Sequence, residues 1–468
     1  DRVPVMCAVP LDAVIEAAAT STRWVRIKNN RAGDPIETHV EPPKQVLKSL
    51  MARTTFGAVH ELNCIVRHAT LAADGELLTI PGYHKEHKML IFPRVDGERI
   101  DLVDSDCTPE NARTALALLV DLFQDFNFES EAHRAAAFSL LFTLLVRQNL
   151  DTVPFFALDA STPGTGKGTV FQVVQAIATG NPSLSSWAPT EDADAEGKRL
   201  VSLGLEGRSG LCLFDNIKSG ASLGNAVLDA ALTNGFVSGR LLQLNKTATV
   251  KLSVTFAATG NNIRLSGDLH RRTLFMKLVS PAQKRVKWTY PLIAQYAATH
   301  RLKYLRAALL IMRAFVLHGR LPADDTWRPI EGVSGAEPTP YASFEAWSKM
   351  CRDPLVWLGM PDPVAGTKGA GASADLTTAN FTALLEATFK ITKQTPITPY
   401  RLQQLWEACK IGEGADDQDF CGALVSLGFV DDRRWKSGRA QSILSTYQDR
   451  ALDGGYRLVA LIPHRRWE

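Results

Sequence analysis

The stretch that most constrains this chain is a strand, a glycine-rich loop and a helix in direct succession. Residues 152–160 read TVPFFALDA, an apolar run suited to a strand with both faces covered. The loop Ser161-Thr162-Pro163-Gly164-Thr165-Gly166-Lys167-Gly168-Thr169 follows at once, and TVFQVVQAIATG at 169–180 continues at helical spacing. Glycines let successive backbone N–H groups converge on phosphate oxygens. The helix N-terminus adds partial positive charge, and a lysine there reaches the terminal phosphates. The expected phosphate contacts run through Pro163, Gly164, Thr165, Gly166, Lys167, Gly168, Thr169 and Val170. Two positions depart from the usual pattern. Ser161 stands where glycine is common, and Gly168 stands where a hydroxyl would hold magnesium, with Thr169 one place later.

The rest of the chain sets that loop in a multidomain α/β protein. Its 468 residues predict two to four domains. At 45% hydrophobic and 22% charged with a net charge of +3, any basic surface must be local. The seven cysteines form no Cys-x-x-Cys pair and none lies at zinc-finger spacing from a histidine, so reduced thiols in a cytoplasmic protein are expected. The longest apolar run, Ala135 to Val146, is too short to cross a bilayer, so no membrane partner is expected. The chain opens on Asp1 rather than Met, as a fragment of a longer product would.

Residues 1–107 read as mixed α/β. His84, Glu86 and His87 lie together there, as a solvated turn or a metal site, although His-x-x-His lacks the i, i+4 spacing of one helical face. A helical connector is predicted over 108–150 and an ATPase core over 151–290, with strands at 183–188, 211–216, 252–258 and 273–278. Helices between those strands indicate a mostly parallel sheet. A helical lid over 291–358, a Gly/Ala/Pro-rich linker over 359–378 and a final unit over 379–468 complete the division.

LCLFDNI at 211–217 is an apolar strand ending in Asp215, an acid placed to hold magnesium if its strand lies beside that of the loop. This resembles a Walker B element with Asn216 where the catalytic glutamate would stand. Asparagine cannot act as a base, so either Asn216 only orients the attacking water or another acid polarises it, with Glu191 as the candidate, while Glu206 lies at the wrong end of the strand. SVTFAATGNN at 253–262 resembles AAA+ sensor 1, with Asn261 towards the γ-phosphate. DLHRRTLFMKL at 268–278 resembles the arginine-finger segment, with Arg271 or Arg272 acting on a neighbour's ATP. IAQYAATHRLKYLRAALLIMRA resembles the AAA+ lid, with Arg301, or Arg306, as sensor 2.

SGRLLQLNKTATVKLSV at 238–254 reads as two strands meeting near Asn245-Lys246. It resembles the pre-sensor-1 hairpin of ring helicases. Lys246 is thereby the candidate that grips a nucleic-acid backbone, supported by Arg240 and Lys251. The tail reads as four short helices and a terminal hairpin, in the manner of a winged helix. Arg439, Gln441, Ser442 and Gln448 fall on its fourth helix and Arg465 and Arg466 on its wing, for DNA or for protein packing.

Taken in order, these motifs resemble AAA+ helicases of phages, plasmids and integrated mobile elements, related to the superfamily 3 and primase-helicase group. The resemblance spans about 110–468. It implies an α/β fold: an AAA+ P-loop ATPase core with a helical lid, an N-terminal mixed α/β domain and a C-terminal winged-helix-like domain. It also implies ATP and Mg2+, a hexameric ring around single-stranded DNA, and unwinding of a forked duplex during replication. A DNA-binding initiator or loader that does not unwind is the alternative. The spelling PGTGKGT also resembles the adenylate-kinase loop, but no substrate-monophosphate site or kinase lid pattern accompanies it.

Overall fold

The structure is a computed structural model. It describes residues 9–53, 60–93, 98–160, 165–188, 190, 192–206, 209–217, 222–240, 247–261, 263–265, 267–279, 288–320, 326–333, 337–341, 343–367, 381–388, 390, 399–409, 415–431 and 434–447. Two helices lead directly into the core sheet. α1 (Pro109–Leu122) starts with Thr108, whose hydroxyl accepts the Asn111 N–H, and with Pro109 at its first position. α2 (Glu131–Val146) is apolar on every side and buried almost throughout, as a helix at the centre of a core must be.

β1 (Phe155–Ala160) then leads to α3 (Lys167–Thr179). β2 (Ser185–Ser186), α4 (Ala193–Leu205) and β3 (Ser209–Ile217) follow. Next come α5 (Ala226–Asn234), β4 (Phe236–Arg240) and β5 (Thr247–Lys251), which pair as an antiparallel hairpin. β6 (Ser253–Gly260) and β7 (Thr273–Leu278) complete the sheet. Its order is β7-β1-β6-β3-β2, parallel throughout. Side chains alternate across it: Phe156, Leu158 and Ala160 of β1 join the core around α2 and α3, while Phe155 and Ala157 join the core beneath α4 and α5. Both faces are covered, which accounts for the continuous apolar runs in the sequence.

This order corrects one expectation. The strand that ends in Asp215 does not neighbour β1; β6 lies between them. β1 is flanked by two strands that both come later in the chain, so the crevice at its carboxyl end is a topological switch point, where α/β sheets bind ligands.

α6 (Ile293–Thr299) packs on α3, and α7 (Arg301–Ala314) packs on α1. The stretch expected as a linker from 359 is packed as far as Thr367. Asp362 is gripped by Arg352 (Nε–Oδ1 2.8 Å), and Thr367 Oγ1 donates to the Thr273 carbonyl at 3.3 Å. The boundary expected at 107 is also crossed. Ala69, Leu71, Ile100 and Leu102 belong to the α2 core, and Thr70 Oγ1 donates to the Leu145 carbonyl at 2.7 Å. The helices at 381–388, Pro399–Cys409, Ala415–Ser426 and Ser437–Tyr447 share a separate core built on Phe381, Leu402, Phe420 and Ala440. The expected terminal hairpin lies outside the described residues. Among the described residues, no helix is long and apolar enough to cross a membrane.

Candidate nucleotide site and edge arginines

The carboxyl ends of β1, β6 and β3 bring Lys167, Asn261 and Asp215 to one edge of the sheet. Gly166 caps α3 in the left-handed region (φ +89°), which a residue with a side chain would resist. Lys167 follows as the first helical residue, and its Nζ donates to Asn261 Oδ1 at 2.6 Å. Burial draws the Lys167 ammonium below the usual lysine range, and the Asp159 and Asp215 carboxylates oppose that pull. Asp159, on β1, accepts the Ala160 N–H at 2.9 Å and the Ile263 N–H at 3.4 Å. Gly168, Thr169 and Val170 complete the first turn of α3, with Val170 in the core.

Asp215 and Asn216 sit in a break in the pairing of β3 with β6, between Phe214 and Ile217. Asn216 takes the left-handed conformation (φ +55°), which asparagine tolerates better than most residues. Thr259 of β6 ties both residues down. Its hydroxyl donates to Asp215 Oδ1 at 2.5 Å and accepts the Asn216 N–H at 2.8 Å. Bulges re-aim side chains at sheet ends. Here the bulge leaves both Asp215 and Asn216 exposed at the rim. Sequence reading missed Thr259, because a threonine inside an apolar strand looks like an ordinary strand former.

These groups suit a nucleotide triphosphate with a divalent cation. Thr165 Oγ1 is buried without a hydrogen-bond partner among the described residues, next to N–H groups at the start of α3. Asp215 supplies an exposed hard carboxylate of the kind magnesium takes. Pro163, Gly164 and Glu191 lie outside the described residues. Glu196, on the first turn of α4, is buried and held by Trp187 Nε1 at 3.1 Å and Arg199 Nη1 at 3.4 Å, and burial raises its carboxyl.

Other expected residues are placed elsewhere. Arg301 is at the wrong end of α3. It is buried, its Nε donates to the Ile177 carbonyl at 3.0 Å and its Nη2 to Ala178 at 3.2 Å, and it pairs with Glu98. Ile177 lies ten residues along α3 from Lys167, about 15 Å of helix, so Arg301 caps carbonyls where phosphate contact was expected. Arg306 is also turned away, to the Asp101 carbonyl at 2.9 Å and Asp106 at 3.1 Å. Lys251 stands at the base of the β4–β5 hairpin and pairs with Asp151 at 2.8 Å, so it does not join a DNA-facing tip. Arg240 ends β4 opposite Thr247. Its side chain, the tip with Lys246, and Gln448, Arg465 and Arg466 lie outside the described residues, as does the Ser442 side chain. Arg439 and Gln441 are exposed on Ser437–Tyr447. His84 bonds the Ile80 carbonyl at 2.8 Å, while His87 pairs with Glu76 at 2.9 Å and Asp74 lies close by.

Arg271 and Arg272 are at the opposite edge of the sheet. They end a 3₁₀ turn, Gly267–Arg272, immediately before β7, whose first residue Thr273 pairs with Phe155 at the start of β1. The length of β1 separates them from the Lys167 end of the sheet, about 17 Å at strand rise. Arg272 turns inward and donates to the Asp229 carbonyl at 2.9 Å, whereas Arg271 is exposed.

No family model matches the chain, and no curated protein matches it. Among solved structures, the apo A form of the NrS-1 C-terminal region is similar at 12% identity and a TM-score of 0.37, over 84% of each chain. SCCmec type IV Cch, described as an active helicase, is similar at 10% identity and a TM-score of 0.32, over 92% of this chain and 91% of that one. JCV helicase bound to a thiazolopyridine acetamide is similar at 13% identity and a TM-score of 0.22, over 47% of this chain and 64% of that one. At such scores none of the three carries weight for the fold or activity of this chain.

Proposed function

We propose that this protein is an AAA+ ATPase that works as a ring and unwinds DNA, in the replication of a phage or other mobile element. One observation carries the reading. Lys167, Asn261 and Asp215 converge at the carboxyl edge of the sheet, while Arg271 stands at the amino edge, out of reach of that site. A second copy would bring an arginine to each phosphate site, and arginine of this kind neutralises charge in phosphoryl transfer. A monomeric nucleotide kinase would need its cations around its own loop.

In this reading Lys167 holds the β- and γ-phosphates of ATP, with backbone N–H groups of the loop around them. Thr169 and Asp215 would hold Mg2+, which supplies charge neutralisation at the phosphates when bound. Asn261 bonds Lys167 and stands where the γ-phosphate would lie, so nucleotide would compete for that bond. Thr259 keeps Asp215 and Asn216 in register with it. The β4–β5 hairpin would present Lys246 to a DNA strand in the ring's centre, an electrostatic contact that ignores base sequence.

The test is ATP hydrolysis and displacement of a labelled strand from forked DNA by the wild type, Lys167→Ala and Lys246→Ala. Wild type should do both, Lys167→Ala neither, and Lys246→Ala should keep basal hydrolysis and lose displacement. Hydrolysis stimulated by DNA without any displacement would overturn the helicase in favour of an initiator or loader. Phosphoryl transfer to a nucleoside monophosphate would overturn the ring.

A further inference from the structure

The segment 337–367 crosses the amino edge of the sheet and touches the arginine turn. Thr152 Oγ1, just before β1, donates to the Ser343 carbonyl at 2.8 Å, and Arg352 Nη1 donates to the Thr339 carbonyl at 2.7 Å. Between them the Tyr341 hydroxyl donates to the Arg271 carbonyl at 3.0 Å. The Tyr341 ring lies 5.2 Å from Phe344 and 6.1 Å from Trp347. Trp347 is fully buried, bonds Thr143 of α2 through Nε1 at 2.7 Å and meets Phe156 of β1 edge-on at 6.5 Å. A rigid aromatic strut thus runs from the phosphate-loop strand to the peptide of Arg271.

We propose that Tyr341 is a positioning residue for Arg271, setting how far and in what direction its guanidinium stands off this edge towards a neighbouring copy. The inference rests on the reading of Arg271 as an arginine that acts in another subunit. A 3₁₀ turn has weaker internal hydrogen bonds than an α-helix and depends on outside anchors. This turn has two. The inward Arg272 guanidinium holds it against α5 through the Asp229 carbonyl, and Tyr341 holds the next peptide back from the other element. A misplacement of about 1 Å in a reacting constellation can cost roughly a hundredfold in rate, so a single anchor on the backbone of the acting residue matters.

The test separates donor from acceptor subunits. Lys167→Ala subunits lack a working phosphate loop but offer an arginine; Arg271→Ala subunits offer only the loop. Mixed, they should hydrolyse ATP although neither does alone. Adding Tyr341→Phe to the Lys167→Ala donor should lower the mixed rate about threefold to tenfold with KM for ATP unchanged, the range of one lost hydrogen bond. Adding it to the Arg271→Ala acceptor should change nothing. Equal rates in both arms would overturn the proposal. An equal fall in both arms would also overturn it, since that marks general damage to the subunit. Failure of the two parent variants to complement at all would sink the reading of Arg271, and this inference with it.

Discussion

The two edges of one parallel sheet put cations to opposite uses. At the carboxyl edge Lys167 faces Asn261, with the Asp159 and Asp215 carboxylates near it, in a cradle whose polar groups point outward. At the amino edge two arginines serve the backbone. Arg147 is buried and donates through Nε to the Val254 carbonyl at 2.9 Å, through Nη1 to Leu150 at 2.6 Å, and through Nη2 to Leu252. Arg272 does the same for Asp229. These hydrogen bonds go to backbone carbonyls, which suits joints that must hold whether or not a ligand is bound. Arg271 is exposed, and its carbonyl accepts the Tyr341 hydroxyl. The contrast teaches that an arginine's neighbours, more than its position in a motif, tell structural from reactive use.

The sharpest way to break the comparison is to remove each arginine of the pair. Arg271→Ala should lower ATP hydrolysis roughly a thousandfold, within the range for arginines supplied in trans. Arg272→Ala should cost less, with a lower melting temperature, because its guanidinium closes a backbone contact. Phosphate release by the two variants decides it, and the reverse ranking would assign the roles the other way round. Arg147→Met should remove three buried hydrogen bonds to backbone carbonyls and cost about 3 kcal/mol in urea denaturation, with kcat per folded molecule unchanged. A fall in kcat at full folding would place Arg147 in the reaction instead.

Thr259→Val keeps shape and removes the hydroxyl that holds Asp215 and Asn216. Hydrolysis should drop about tenfold, with the Mg2+ requirement shifted upward and stability lowered by about 1 kcal/mol. An unchanged Mg2+ titration would show that the bulge holds itself. The smallest effect on hydrolysis is expected in the segment over the amino edge. Burial raises the Asp353 carboxyl to about 7, so the folded state favours its protonated form. Its contribution is complete below about pH 4 and is lost as pH rises towards 7. Asp353→Asn should therefore match the wild type at pH 4 and be the more stable of the two at pH 8, with the gap opening between those values. Parallel stability curves would show that the carboxyl titrates normally.

Much of the sheet was legible because buried parallel strands write themselves as unbroken apolar runs. The runs at 155–160, 211–217, 253–260 and 273–278 show them directly. Their order in space was not legible. Nothing in the run ending at Asp215 says that β6 inserts between it and β1, because lateral neighbours depend on crossover paths. Arg301 was misread for a similar reason. Its place in the lid is visible, but Glu98, its partner, is 203 positions away, and which end of α3 it meets depends on how α7 lies on the core. The stretch 359–367 has the composition of a linker, yet Arg352 and Asp362 pin it, a pairing that composition cannot express.

On the proposed reading, in which Arg271 serves the phosphate site of another copy, its place at the edge opposite Lys167 also constrains symmetry. A two-fold axis mates a surface with itself, so it suits two groups that share one face. Groups on opposed edges call instead for a head-to-tail contact, which either closes into a ring or grows as an open array. In an open array of any length, one terminal phosphate site has no arginine and one terminal arginine has no site. Closure removes both defects at once, and it does so whatever the number of subunits.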